Sequence, residues 1–115
     1  IHSFPTRRSS DLLVNGQMLA RMKPSAILVN TARGGLVDEA ALAEALREGR
    51  LAGAALDVRR QEPPGQDDPL RGLPNVILTP HVAGVTRESM RRASLHVAQD
   101  VLRVLRGERA VSVVP

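Results

Sequence analysis

MKPSAILVNTARGGLVDEAAL, residues 22–42, decides the fold. Within it AILVN (26–30) is a short apolar run, strand-sized, with Pro24 before it and the paired glycines Gly34 and Gly35 after it. TARGG (31–35) therefore reads as a loop. Asp38 is placed to cap a helix, and Glu39 falls in the first turn, where the helix dipole favours a negative charge. Leu42, Ala45 and Leu46 form an apolar stripe, and Gly49 is placed to end the helix. A buried strand, a loop and an amphipathic helix in direct succession form the repeating unit of a parallel α/β sheet.

The same pattern extends outward. VNGQMLARMKP (14–24) predicts a short helix, with Met18, Leu19 and Met22 at helical spacing and Pro24 as its stop. GAALDV (53–58) and NVILT (75–79) are two further strand candidates. Between them RRQEPPGQDDP (59–69) breaks regular structure, so the connection to the third strand has no clear helix of its own. Pro80 and Gly84 bracket a loop, and Thr86 is a good N-cap. Met90, Ala93, Val97, Val101, Leu102 and Leu105 then mark a long helix, with Gly107 as a stop. The tail AVSVVP (110–115) suits a short edge strand or a docking segment. The expected order is helix, strand, helix, strand, loop, strand, helix, around a parallel sheet.

Composition agrees with that class. Phe4 is the only aromatic residue, so the core must be built from Val, Leu, Ile, Met and Ala, which suits a sheet buried under helices. The absence of cysteine excludes disulfides, thiolate zinc sites and cysteine nucleophiles. No apolar run approaches the ~20 residues of a membrane span. The net charge of +4 comes from arginines spread among acids, with Lys23 the single lysine. That is a solvated surface, not a nucleic-acid footprint, and no nucleic-acid motif is present. A cytoplasmic location is the default expectation.

In an open parallel sheet, ligands bind beyond the carboxyl ends of the strands. Arg33 follows the first strand, Asp57 ends the second, Glu62 lies in the next loop and His81 follows the third. Taken singly, each has an architectural reading: Arg33 bonded to loop carbonyls, Asp57 as a turn cap, Glu62 as surface decoration, His81 as a structural loop histidine. Their common placement on one edge favours a site. His96, in the middle of the long helix, reads as a packing or surface residue. An arginine fork pairs bidentately with a carboxylate. A histidine exchanges protons near neutral pH, and a neighbouring carboxylate stabilises its charged form and fixes its tautomer. The set suits a small acid whose neighbouring carbon carries a hydroxyl or a carbonyl, with a nicotinamide as the hydride partner.

These segments, together with GRLAGAALDV (49–58), the glutamate in QEPP and LPNVILTPHVAG (73–84), resemble in order and spacing the cofactor-binding domain of D-isomer-specific 2-hydroxyacid dehydrogenases. Glyoxylate/hydroxypyruvate reductases and phosphoglycerate dehydrogenases belong to that family. The resemblance covers residues 13–107. It implies the C-terminal half of a Rossmann-type doubly wound parallel sheet plus the helix that returns toward the substrate domain. It implies that Arg33 holds the substrate carboxylate and polarises the reacting carbonyl, that His81 is the acid/base and that Glu62 is its partner. It further implies that Asp57 binds the nicotinamide carboxamide, with Thr31, Ala32, Arg33, His81 and Gly84 lining the cofactor side. The cofactor would be NAD or NADP, the substrate a small 2-oxo or 2-hydroxy acid, and the full-length assembly a homodimer. Glu62 sets the chain apart from the formate dehydrogenase branch, where a glutamine stands. A non-catalytic NAD-sensing regulator, like the C-terminal-binding-protein corepressors, keeps the same trio and is the competing expectation.

Three stretches depart from the pattern. Residues 1–12, IHSFPTRRSSDL, including His2, fit no part of it and read as a join foreign to the fold rather than as a targeting leader. Residues 108–115 form a tail. The G-x-G-x-x-G phosphate loop, which lies upstream in the family, is not in this sequence, and with Ile1 at the start the expectation is a piece of a longer protein, inactive alone.

Overall fold

The computed structural model describes residues 12–113. The expectations for 1–11 and for the last two residues of the tail lie outside it. The chain forms two compact units, one ending at Val82 and one beginning at Ala83.

The first unit contains α1 (Gly16–Ala20), β1 (Ile27–Asn30), a 3₁₀ turn (Gly34–Leu36), α2 (Glu39–Arg47), β2 (Gly53–Leu56) and β3 (Val76–Leu78). Three parallel strands form one sheet in the order β1-β2-β3. The chain from β2 to β3 carries no helix, as the Pro- and Gly-rich segment predicts. The Asp38 side chain accepts from the Ala41 amide, which starts α2 where the sequence places it. Gly49, at φ +69°, ends it in a conformation that glycine adopts without cost.

Alternation along the strands sets the core. Leu28, Ala54 and Val76 lie in register on one face, as do Val29, Ala55 and Ile77 on the other. The first face packs with Leu19 of α1, Leu42 and Leu46 of α2, and Leu51, Leu56 and Leu70. Each of these leucines is almost wholly buried, a gain of about 1.5–3 kcal/mol per side chain.

The opposite face corrects the expectation of strands buried on both sides. Ile27, Val29 and Ile77 are each about two-thirds exposed, because among the described residues of this unit the core packs on the other face of the sheet. The first helix is also shorter than its spacing suggests. Asn15 caps it and it ends at Ala20, so Met22 lies beyond it and Pro24 is not its stop; Met18 is exposed and only Leu19 enters the core.

The second unit holds α3 (Arg87–Leu105). Thr86 and Ser89 form a reciprocal capping box, and Gly107, at φ +79°, follows its C-terminus. The apolar stripe is present, but no residue of α3 is buried; the rest of the unit, among the described residues, is a loop and a short tail. The tail forms no strand up to Val113. It docks instead, the amides of Val111 and Ser112 donating to the Asp100 carboxylate, whose pKa they lower to about 2. His96 Nε2 meets Ser112 Oγ at 2.6 Å, a packing role within this unit.

Candidate active site

The parallel register brings Asn30, Leu56 and Leu78 to a common level at the strand ends. Neighbouring strands lie about 4.8 Å apart, so the segments leaving these three residues share one narrow rim. Arg33, Asp57, Glu62 and His81 all belong to those segments.

After β1, the turn is set by Asn30. This buried side chain accepts from the Ala32 amide at 3.1 Å and donates to the Arg33 carbonyl at 2.9 Å. Both bonds fix the backbone of residues 31–33, leaving Thr31, Ala32 and Arg33 exposed. Arg33 Nη1 donates to the Ala32 carbonyl at 2.7 Å, which uses one of the five N–H donors of the guanidinium. The next residue, Gly34, is buried against the following loop. A Cβ there would lie 1.9 Å from the carbonyl carbon of Arg59, so no larger residue fits without displacing backbone. The loop carrying Arg33 therefore rests directly on the loop carrying Glu62.

Asp57 is buried and organises the turn after β3. Its Oδ1 accepts from Thr79 Oγ1 and, at 2.9 Å, from the Val82 amide, while its carbonyl accepts from the His81 amide at 2.8 Å. These bonds hold His81 at φ +56°, a left-handed conformation that costs an ordinary L residue about 1–2 kcal/mol. The turn-capping reading of Asp57 is thus part of what it does. It also aims the histidine.

His81 Nδ1 lies 2.8 Å from Glu62 Oε2, with both side chains partly exposed. The other carboxylate oxygen, Oε1, accepts from the Arg59 amide at 2.8 Å. That amide bond first, and the imidazole second, hold the Glu62 carboxyl below its ordinary pKa of 4.5. A carboxyl with a depressed pKa stays charged to lower pH than usual. The pair is therefore complete at and above the ordinary carboxylate range and is lost only as the pH falls through the depressed value. With Nδ1 committed to Glu62, Nε2 is the ring nitrogen that can face a ligand. Asp57, Glu62, Pro63, Thr79, Pro80 and His81 are among the residues lining a cleft of about 220 Å³. Arg33 is outside that lining, on the neighbouring loop of the same rim, and Gly84 belongs to the second unit, where its carbonyl accepts from Ser89 Oγ.

Two residues behind this arrangement are not evident from sequence. Asn30 is one; a strand-end Asn is a known turn former, and that is the available signal. Arg59 is the other. Beside Arg60 it reads as solvated charge, yet its side chain is only 6% exposed. It bonds Glu39 through Nε at 3.2 Å and Nη2 at 3.0 Å, and Asp68 through Nη1 at 2.9 Å and Nη2 at 2.6 Å. The same guanidinium holds the Asp68 carboxyl below its ordinary pKa.

A three-stranded parallel sheet with polar side chains gathered at its carboxyl edge defines a ligand-binding α/β unit of Rossmann type. Residues 1–83 match the family described as D-isomer specific 2-hydroxyacid dehydrogenase, NAD binding domain, and the chain belongs to that family. It is 45% identical over 107 residues to a D-3-phosphoglycerate dehydrogenase of Archaeoglobus fulgidus, covering 93% of this chain and 20% of that protein. It is 49% identical over 106 residues to an (S)-sulfolactate dehydrogenase of Chromohalobacter salexigens, covering 92% of this chain and 34% of that protein. Among solved structures it resembles the NADPH-dependent glyoxylate/hydroxypyruvate reductase of Sinorhizobium meliloti in complex with NADP and malonate. There the TM-score is 0.80 at 37% identity, over 93% of this chain and 34% of that one. The chain thus spans between a fifth and about a third of the length of these relatives. Among the described residues no helix is long and apolar enough to cross a membrane.

Proposed function

We propose that this chain is the C-terminal part of the cofactor-binding domain of an NAD(P)-dependent 2-hydroxyacid dehydrogenase. The observation that carries the reading is the Glu62–His81 pair, 2.8 Å apart, in a cleft at the carboxyl ends of a parallel sheet. The residues present fit the nicotinamide end of the cofactor. An exposed backbone at Thr31, Ala32 and Arg33 adjoins a buried carboxylate, Asp57, able to accept from a carboxamide N–H. His81 lies on that side as well. When bound, the nicotinamide supplies hydride to a carbonyl carbon or takes it from a carbinol carbon.

The chain's own residues do the rest. Arg33 takes the carboxylate of a small 2-oxo acid in its fork and turns the carbonyl toward the histidine. In reduction, protonated His81 gives a proton from Nε2 to the substrate oxygen as the carbon gains hydride. In oxidation, neutral His81 takes that proton back. Glu62 holds the ring at Nδ1 and stabilises the imidazolium form. The family's phosphate-binding turn, G-x-G-x-x-G, does not occur in these 115 residues. A homodimer is the assembly that the family resemblance implies, and the cytoplasm is its default location.

The test is turnover by the full-length protein carrying this segment. Incubated with NADH or NADPH and a panel of small 2-oxo acids, it consumes the reduced cofactor in stoichiometric amounts with formation of 2-hydroxy acid, whereas the 115-residue chain alone does not. Cofactor binding with no turnover on any member of the panel overturns the reading in favour of an NAD-sensing regulator on the same fold.

A further inference from the structure

The cluster of Arg59, Glu39 and Asp68 adjoins the cleft, which Arg59 helps to line, and none of the three exchanges a proton in the chemistry above. A buried cation between two carboxylates has an architectural explanation, since it ties α2 to the loop before β3. Its connections reach further. Glu39 Oε1, besides taking Arg59 Nε, accepts from the backbone amide of Arg60 at 2.7 Å. Asp68 Oδ1, besides taking Arg59 Nη2, accepts from the Leu70 amide at 3.0 Å. The turn at 59–60 is thus gripped through a side chain and through a backbone amide. The adjoining amide, that of Arg59 itself, is the one that holds Glu62 Oε1. The Arg59 carbonyl group is also the surface against which Gly34 packs, one residue from Arg33.

We propose that Arg59 is a positioning residue: clamped between Glu39 and Asp68, it fixes the turn whose amide presents Glu62 to His81. This rests on the reading that His81 and Glu62 carry out the acid/base step. The chain of contacts runs from carboxylates to guanidinium, from guanidinium to turn, from the Arg59 amide to Glu62 Oε1, and from Glu62 Oε2 to His81 Nδ1. A guanidinium is needed because one planar group must satisfy two carboxylates by fork-like contacts, whereas an ammonium offers a point charge. Loss of the clamp lets the 59–62 turn drift and leaves Glu62 without a fixed donor at Oε1. The imidazole is then neither oriented nor supported, an effect that reaches it through the Arg59 amide and Glu62.

The test uses the full-length protein with Arg59→Lys, Glu39→Gln and Glu62→Gln, singly and with Arg59→Lys joined to Glu62→Gln. Outer partners of this kind change activity by about 10–100-fold in metal sites, and a fall in kcat of that order is expected for Arg59→Lys, with a smaller one for Glu39→Gln. KM for the 2-oxo acid and cofactor affinity stay within about twofold. In the Glu62→Gln background Arg59→Lys adds little further loss, because both changes interrupt one chain of contacts. In carbon-detected NMR titration, the Glu62 carboxyl of Arg59→Lys and Glu39→Gln moves up toward 4.5 from its depressed wild-type position.

Additive losses in the double variant, or unchanged kcat with an unmoved Glu62 titration in the folded variants, overturn the proposal. If Arg59→Lys does not fold, the near-isosteric Glu39→Gln decides by the same two readouts. The NMR arm needs no turnover. An inactive wild type therefore refutes the dehydrogenase reading, while an unmoved Glu62 refutes the role of Arg59.

Discussion

His81→Ala in the full-length protein lowers kcat for 2-oxo acid reduction by about 10²–10⁴-fold, the usual contribution of a positioned acid/base. Cofactor affinity changes little. The magnitude comes from the role of the ring. Its Nδ1 is tied to Glu62 at 2.8 Å, so a single nitrogen, Nε2, is left to exchange the proton with the substrate oxygen. Alanine removes both the proton and the group that stabilises charge developing on that oxygen, and water entering the gap supplies the proton without orientation. The Asp57 bonds to the Thr79 hydroxyl and to the Val82 amide do not involve the imidazole, so the loop survives the change. Alanine at φ +56° meets the same strain as histidine, which keeps the comparison one of side-chain chemistry. His81→Gly, which relieves that strain, is expected to be as inactive as His81→Ala. Steady-state kinetics with a cofactor titration checks both, and turnover at the wild-type rate contradicts the assignment.

Arg33→Lys is the second large effect. It keeps the charge and loses the fork. Two parallel charge-assisted bonds from a guanidinium to a carboxylate contribute about 1.5–3 kcal/mol each, and an ammonium reproduces at most one of them in a fixed direction. The expected result is a fall in kcat/KM of about 10²-fold or more, at ~1.4 kcal/mol per factor of ten. KM for the 2-oxo acid rises and kcat falls together, because the carboxylate grip also orients the carbonyl toward His81. Arg33 is exposed, and among the described residues its side chain bonds the neighbouring Ala32 carbonyl, so folding is not at stake. Kinetics on a 2-oxo acid and on the matching aldehyde without the carboxylate distinguishes the cause: wild type and variant converge on the aldehyde. A variant that retains wild-type kcat/KM on the acid shows that the carboxylate binds elsewhere.

Much of this architecture is legible in the sequence. Asp38, Gly49 and Thr86 mark helix ends by local chemistry, and local chemistry is what a single sequence carries well. The three strands are short apolar runs between loops rich in glycine and proline, so their number and parallel order follow from spacing. The strand-end rule then places Arg33, Asp57, Glu62 and His81 on one rim without reference to contacts. The features hidden from sequence depend on partners distant along the chain. Val29 and Ile77 look like core residues because periodicity reports what a face is suited to bury, and says nothing of what covers it; both are largely exposed. The stripe on α3 misleads for the same reason. Arg59 looks solvated because its neutralising carboxylates lie 20 residues before it and 9 after it. The left-handed backbone of His81 also has no local marker. It is imposed by Asp57, which follows the neighbouring strand β2.

A crystal structure of the full-length protein with NAD(P)H and an unreactive 2-oxo acid analogue is the most direct test. The expected complex has the analogue's carboxylate in the Arg33 fork and its carbonyl oxygen about 2.6–3.2 Å from His81 Nε2, with Glu62 still on Nδ1. An analogue bound away from this rim, or a histidine whose Nε2 meets only protein groups in the complex, contradicts the account.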